Sequence, residues 1–262
     1  MKFNKSKFLL IIWLCCLVNV ASAQKVWEKP FEKWSKEDAI KILTNSPWVE
    51  TYQLSEGLAA SAQEQIAREQ ADQNLRRQPT QGSSARNVAP APVVIRLHSA
   101  LPIRQALTRL KQIEAGYDKM DEKKRADFNE ITKNYLSCPI CQKYYVVTMT
   151  KFGNSSAQGV QEGLFQTMKF EQLKGNVRLV NDKGEQRELA EFTPPKGAGD
   201  FAVFFFPRRD DKTNDLLTTE SKNFKFVFNN EFLGRSNPYA GLLPRSFEFK
   251  VSKLMIGDKL EF

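Results

Sequence analysis

The chain has 262 residues, with 39 Lys and Arg against 30 Asp and Glu, a formal charge of +9. That length can bury a real core without covalent staples. Its basic excess contains no run of five or six like charges, so it reads as a solvated basic surface attracted to anionic surfaces or polymers, not as a nucleic-acid tail. With one histidine and four cysteines, the inventory gives little room for structural zinc, c-type haem or a Ser-His or Cys-His mechanism.

The N-terminus reads as an export signal. Lys2, Lys5 and Lys7 precede the apolar run 8–18, and Ala21-Ser22-Ala23 is a small-x-small cleavage site. Eleven apolar residues are too few to span a membrane. Cleavage after residue 23 would leave 239 residues, and losing three lysines lowers the charge from +9 to +6. Leu14 before Cys15 is a poor lipoprotein site. The expected location is the periplasm or the extracellular space, with no stable membrane span after cleavage.

Residues 24–54 are expected to hold a short helix and a first strand. Ser35 before Lys36-Glu37-Asp38 is a helix start with acids in the first turn. Ala39, Ile42 and Leu43 form one apolar face, and Asn45 with Pro47 stops the helix. Trp27, Trp34 and Trp48 flank it. They are expected to pin the helix to the body, although such a cluster could also stack on sugars or bases. Residues 55–92 change character. Residues 55–78 have helical composition but a thin apolar stripe of Leu58, Ile66 and Leu75, and 79–92 reads as a linker. The whole stretch is expected to be a mobile insertion.

The main domain is expected over 93–262. Val93-Val94-Ile95-Arg96-Leu97 is a strand. Ser99 is placed to cap the next helix, with Pro102 in its first turn and Ile103, Ala106, Leu107, Leu110 and Ile113 at helical spacing. A second helix from Asp121 carries Phe128, Ile131 and Tyr135 on one stripe. Strands are expected at 144–150, 177–180, 186–192, 201–206, 223–228 and 246–251. A weaker strand falls at 164–170 and a last hairpin around Gly257-Asp258. Asn181-Asp-Lys-Gly184 is a hairpin turn. Phe224, Phe226 and Phe228 alternate, as do Phe247, Phe249 and Val251, so each set lines one sheet face. Residues 201–206 are apolar on both faces and should form a central strand. The fold class that follows is α+β: an antiparallel β-sandwich-like body, a helical pair before the Cys-Pro-Ile-Cys motif and a short N-terminal helix.

Cys138-Pro-Ile-Cys141 is the one local motif with chemical meaning. A thioredoxin-like site places its first cysteine at a helix N-terminus, where the dipole favours thiolate. Here helix precedes the motif and strand follows it, so a structural disulfide in an oxidising compartment is the leading reading and a periplasmic thiol-disulfide protein the alternative. Metal or free-thiol roles find no partners nearby. His98, directly after a strand, fits a structural role better than catalysis. Carboxylate pairs of the glycosidase type stay open because their members are distant in sequence. Pro194 to Asp200 is glycine-rich but lacks the following helix that would cradle a phosphate. The long segment 229–245 carries Phe232, Tyr239, Leu242 and Leu243 among glycines and prolines. It is the candidate binding loop, either a partner surface or a flap on the sandwich.

Three segments resemble an uncharacterised group of exported bacterial proteins: Trp34-Ser-Lys-Glu-Asp-Ala-Ile-Lys-Ile-Leu43 with Ser46-Pro-Trp48, Cys138-Pro-Ile-Cys141 with Tyr144-Tyr-Val-Val147, and Asp200 to Arg208 with its Phe-Phe-Phe-Pro-Arg. The resemblance implies export and carries over no catalytic residue. The expectation is therefore a non-enzymatic binding or envelope-associated module with no cofactor, no metal, no nucleic acid and a protein or cell-envelope partner.

Overall fold

Alternating phenylalanines dictate the centre of the fold. In the computed structural model, which describes residues 25–53, 92–151, 165–196, 200–236 and 243–262, they face one another across two antiparallel sheets. The first sheet has the order β1 (Val49–Tyr52), β2 (Val93–Leu97), β3 (Tyr144–Lys151), β7 (Ala202–Pro207) and β6 (Glu191–Thr193). The second has the order β5 (Gln186–Glu188), β4 (Val177–Asn181), β8 (Asn223–Phe228) and β9 (Ser246–Lys250). A small hairpin, β10 (Met255–Ile256) and β11 (Lys259–Leu260), follows. The α+β sandwich expected from the sequence is the fold observed.

Register sorts the side chains. Val147 pairs with Phe204 and Tyr145 with Phe206, so these residues share one face of the first sheet. Phe224, Phe226 and Phe228 line the inner face of the second, beside Phe247 and Phe249. Phe226 meets Phe204 at 5.3 Å and Phe206 at 5.8 Å between ring centroids. Phe262 tilts onto Tyr145 at 5.1 Å and stacks on Phe224 at 5.0 Å. Interlocked rings of this kind bury large apolar areas in edge-to-face and offset geometries, which makes this layer the main source of stability.

Helices cover the other face of the first sheet. Helix α1 (Lys36–Thr44) starts at Ser35, whose Oγ accepts from the Asp38 amide while the Asp38 carboxylate accepts from the Ser35 amide. This closed capping box, with Ala39, Ile42 and Leu43 buried, is the start expected from the sequence. Trp34 and Trp48 are buried on either side of it. The Trp48 indole donates to the Glu261 carbonyl at 2.6 Å and packs edge-on to Trp27 at 5.3 Å. Trp34 and Trp48 pin the helix, and Trp27 is half-buried against Trp48.

Helix α2 (Leu101–Glu114) lies between α1 and α3 (Glu122–Ser137), and contact on both sides buries Arg104, Thr108, Arg109 and Gln112 along with Ile103 and Ala106. Arg109 donates to the Trp34 carbonyl at 2.9 Å and pairs with Asp118.

Several expectations need correction. Ser99 does not cap α2; Ala100 holds that place without a side-chain bond. The Ser99 hydroxyl instead accepts from the Val146 amide at 2.6 Å, because strand pairing brings that donor to it. Ile131 is 81% exposed, not on the inner stripe, since α3 turns Phe128, Thr132, Tyr135 and Leu136 inward and buries no residue fully. The strand expected at 186–192 is two strands in different sheets, β5 and β6, and the chain crosses the sandwich at Leu189-Ala190. The weak strand at 164–170 is helical instead in its described part: Phe165 lies in a helical turn and α4 (Phe170–Leu173) follows. The hairpin turn at Asn181 forms as expected, with Gly184 at φ 82 and the Asn181 Oδ1 accepting from the Lys183 and Glu185 amides. The export signal, the expected insertion and residues 197–199 of the glycine-rich turn lie outside the described residues, apart from Pro92 at the insertion's end.

Candidate functional site

The cysteine corner is built as a packing element. Helix α3 ends on Cys138, which takes left-handed backbone at φ 45, and a turn of 3₁₀ helix over Pro139–Gln142 brings Cys141 back to it. The two are disulfide-bonded with Cα atoms 5.3 Å apart. Both cysteines are buried and pack on Val146, with Tyr144, Val203 and Phe205 around them. The Arg208 guanidinium donates to the Cys141 carbonyl at 2.6 Å and lies 4.3 Å from the Tyr145 ring centre. Burial depresses the Arg208 pKa, opposed mainly by Tyr145. Nothing here exposes a sulfur to a partner thiol.

Beside the corner lies a buried basic seam. Arg104 donates to the Ser99 carbonyl at 3.2 Å and to the Leu136 carbonyl, tying α2 to the end of α3. Arg96 donates to the Leu43 carbonyl at 2.8 Å, and burial lowers its pKa to about 10. The His98 ring meets Tyr135 edge-on at 5.5 Å, and its shielded Nδ1 has no hydrogen-bond partner. Burial, then Arg104, Arg96 and Lys111, lower its pKa to about 4, so it is neutral at physiological pH. Burial also raises the Tyr135 phenol above its usual range. A neutral imidazole among cations, with no carboxylate bonded to it among the described residues, is poorly made for general-base work.

The candidate binding loop opens as a helix. Helix α5 (Asn230–Ser236) occupies its first half, and Phe232 on it is 37% exposed. Leu243 is buried, so it belongs to the core and not to a partner surface. Tyr239 and Leu242 lie outside the described residues.

Helix α5 walls a groove of about 860 Å³ on the outer end of the second sheet. Arg178 of β4 stands on its floor, with Val227 of β8 opposite in register. Arg245 enters from the bend just before β9 and Arg235 from α5. Arg235 pairs with Glu231 at 2.8 Å. Arg178 and Arg245 make no side-chain hydrogen bond or ion pair with any described residue. Three guanidiniums against one carboxylate leave the groove at +2.

Its amides are fixed in place. Asn229 and Asn176 bond twice, amide to carbonyl at 2.8 Å and side chain to side chain at 3.0 Å. Asn230 donates to the Leu243 carbonyl at 2.5 Å, while its Oδ1 is shielded and unpartnered. None of these arginines sits in a recognisable motif. On an alternating strand Arg178 reads as an ordinary solvent-facing residue, and only the length of segment 229–245 pointed here.

A second groove of about 510 Å³ runs between the edges of the two sheets, where β1 meets β9. It is lined by Glu50 and Glu248 with Ser46, Lys250 and Lys253. Burial raises the Glu50 pKa, and Lys253 opposes the shift. Glu248 pairs with Lys225 at 3.5 Å.

Among the described residues no cluster of three His, Cys, Asp or Glu could hold a metal ion, and no helix is long and apolar enough to cross a membrane. No family model, no curated protein and no solved structure matches the chain.

Proposed function

We propose that the protein is an exported, non-enzymatic binding module of the cell envelope, and that its ligand occupies the groove between the end of the second sheet and α5. One observation carries this reading. Fixed amides and two guanidiniums that pair with no described residue converge on one concavity, at the segment the sequence sets aside as a long loop. The export signal read in residues 1–23 and a disulfide of the kind that persists in oxidising compartments support the location. The thiol-disulfide alternative finds less support, because both cysteines are buried behind Tyr144 and Phe205.

The test is a titration of isotope-labelled protein, residues 24–262, with soluble fractions of envelope material, followed by amide shifts. Changes should concentrate at Asn176, Arg178, Val227 to Glu231 and Arg245. A response centred on Cys138 and Cys141, or none with any fraction, would sink the reading.

A hydrolase is the second reading, favoured by the two carboxylates in the edge groove. One partly buried acid with a raised pKa beside an ion-paired acid is the pattern of an acid-base couple. It requires turnover of a glycan or ester substrate that disappears in Glu50→Gln. Absence of turnover across a substrate panel would leave the binding reading alone.

A further inference from the structure

We propose that the C-terminal half of α3 is an acid-released element: protonation of His98 frees residues 130–137 from α2 and β2 while the sandwich stays folded.

The seam between α2 and α3 is polar and short of partners. Arg104 reaches across it to the Leu136 carbonyl, and Lys111, on the same face of α2, lies 5.4 Å from the Tyr135 ring centre. Thr108 stands between them on that face. The Arg104 Nε, the Thr108 Oγ1 and the His98 Nδ1 are all shielded and without a hydrogen-bond partner among the described residues. Such atoms gain water when a seam opens, which lowers the cost of opening. No residue of α3 is fully buried, so the apolar area opposing release is small.

His98 is the group through which acid acts on this seam. In the imidazolium both ring nitrogens carry protons, so Nδ1 becomes a shielded donor with nothing described to accept from it. The charged groups facing the ring are Arg96 from β2 and Arg104 and Lys111 from α2, while α3 brings the neutral Tyr135 phenol, edge-on at 5.5 Å. Glu261, the carboxylate that acts on Arg104, is already paired with Lys259 at 2.6 Å. A proton added to His98 is therefore repelled by each of these cations.

The ring is pinned and the helix is not. Leu97, before it, donates its amide to the Trp48 carbonyl at 2.9 Å, and Ser99, after it, bonds Val146 through both amide and hydroxyl. Tyr135 is the side that can move. Cys138, left-handed and disulfide-bonded to Cys141, gives the released segment a fixed end. The first turns of α3 stay tied through Arg125, which donates to the Tyr117 and Asp118 carbonyls.

The experiment is amide hydrogen exchange of residues 24–262, resolved by NMR at pH 7 and pH 3.5, with rates corrected for the intrinsic effect of pH. A folded pKa of about 4 against 6.5 for the free side chain sets the expected size, roughly 200-fold more opening at the lower pH. Protection should fall by about that factor over residues 130–137 and hold in β3 and β8. His98→Gln, neutral at every pH, and His98→Phe should both lack the fall, and either one suffices should the other not fold. Asp127 and Glu130 on α3 also take up protons in this range. Both variants keep them, so any share they have in the effect stays visible there.

Loss of protection in β3 and β8 together with residues 130–137 would overturn the inference, since His98 would then drive global unfolding. A fall that persists undiminished in the variants would remove His98 from the account. Titration of the His98 ring signals with α3 protection unchanged would show the ring finding water in place, and would overturn the release.

Discussion

The cysteine corner and the arginine groove use their residues in opposite ways. The corner holds the residues that usually signal chemistry, namely two cysteines, the only histidine and a tyrosine with a raised pKa, and it locks each into packing. The groove holds arginines and asparagines, which rarely draw attention in a sequence, and among the described residues two of its charged forks have no partner. Reactive residue types mark function only when the fold leaves them accessible and electrostatically poised. Here the fold consumes them and exposes ordinary ones.

The contrast can be broken at the corner first, through His98. Its folded pKa of about 4 lies below the usual 6.5, so the unfolded chain binds the extra proton more readily. Stability is then fully present above pH 6.5 and is lost as pH falls through about 4, a loss of about 3 kcal/mol. Urea unfolding at stepped pH should show this loss in wild type and lack it in His98→Phe, which keeps a ring against Tyr135. An unchanged acid limb in that variant would mean that His98 is not the group being titrated.

Removing the disulfide should have the next largest effect. Cys138→Ser with Cys141→Ser should lower stability by roughly 2 kcal/mol, the loop-entropy value for so short a ring, and leave ligand binding unchanged. Loss of function without loss of fold in that variant would revive the redox reading.

Smaller still is the edge groove. Burial favours the protonated form of Glu50 in the folded state. Its contribution therefore weakens as pH rises from its unfolded value through its raised folded one. Glu50→Gln should remove that slope and slightly raise the melting temperature at neutral pH. A lowered melting temperature would show that the ionised carboxylate is needed by Lys253. Least of all, Ile131→Lys and Arg178→Glu with Arg245→Glu should each change stability by less than about 0.5 kcal/mol, since these side chains are exposed.

What could be read in advance followed local rules. The Ser35 capping box, the alternating phenylalanines of β8 and β9, the Asn181 turn and the cysteine pair each have a short-range signature. The failures were non-local. Residues 186–192 read as one strand because a hydrophobic pattern does not say which sheet a strand joins. Ile131 read as inward because helical spacing does not say how closely a helix will dock. Ser99 read as a cap because only the paired β3 reveals the Val146 amide as its donor. Arg104 and Arg109 gave no sign that α3 and the Trp34 turn would bury them. The groove was half legible: the length of 229–245 marked it, but its apolar residues were the wrong guide. Leu243 is core, and the groove's own charge comes from Arg178, far away in sequence, as well as Arg235 and Arg245.

The most direct test of the contrast is a side-by-side titration, followed by amide shifts, of wild type, the cysteine double variant and Arg178→Glu with Arg245→Glu with the soluble envelope fraction that shifts the groove. Wild type and the cysteine variant should bind alike, and the arginine variant should not bind. Binding that survives the arginine reversal and vanishes with the cysteines would contradict the account, and would move the functional site to the corner.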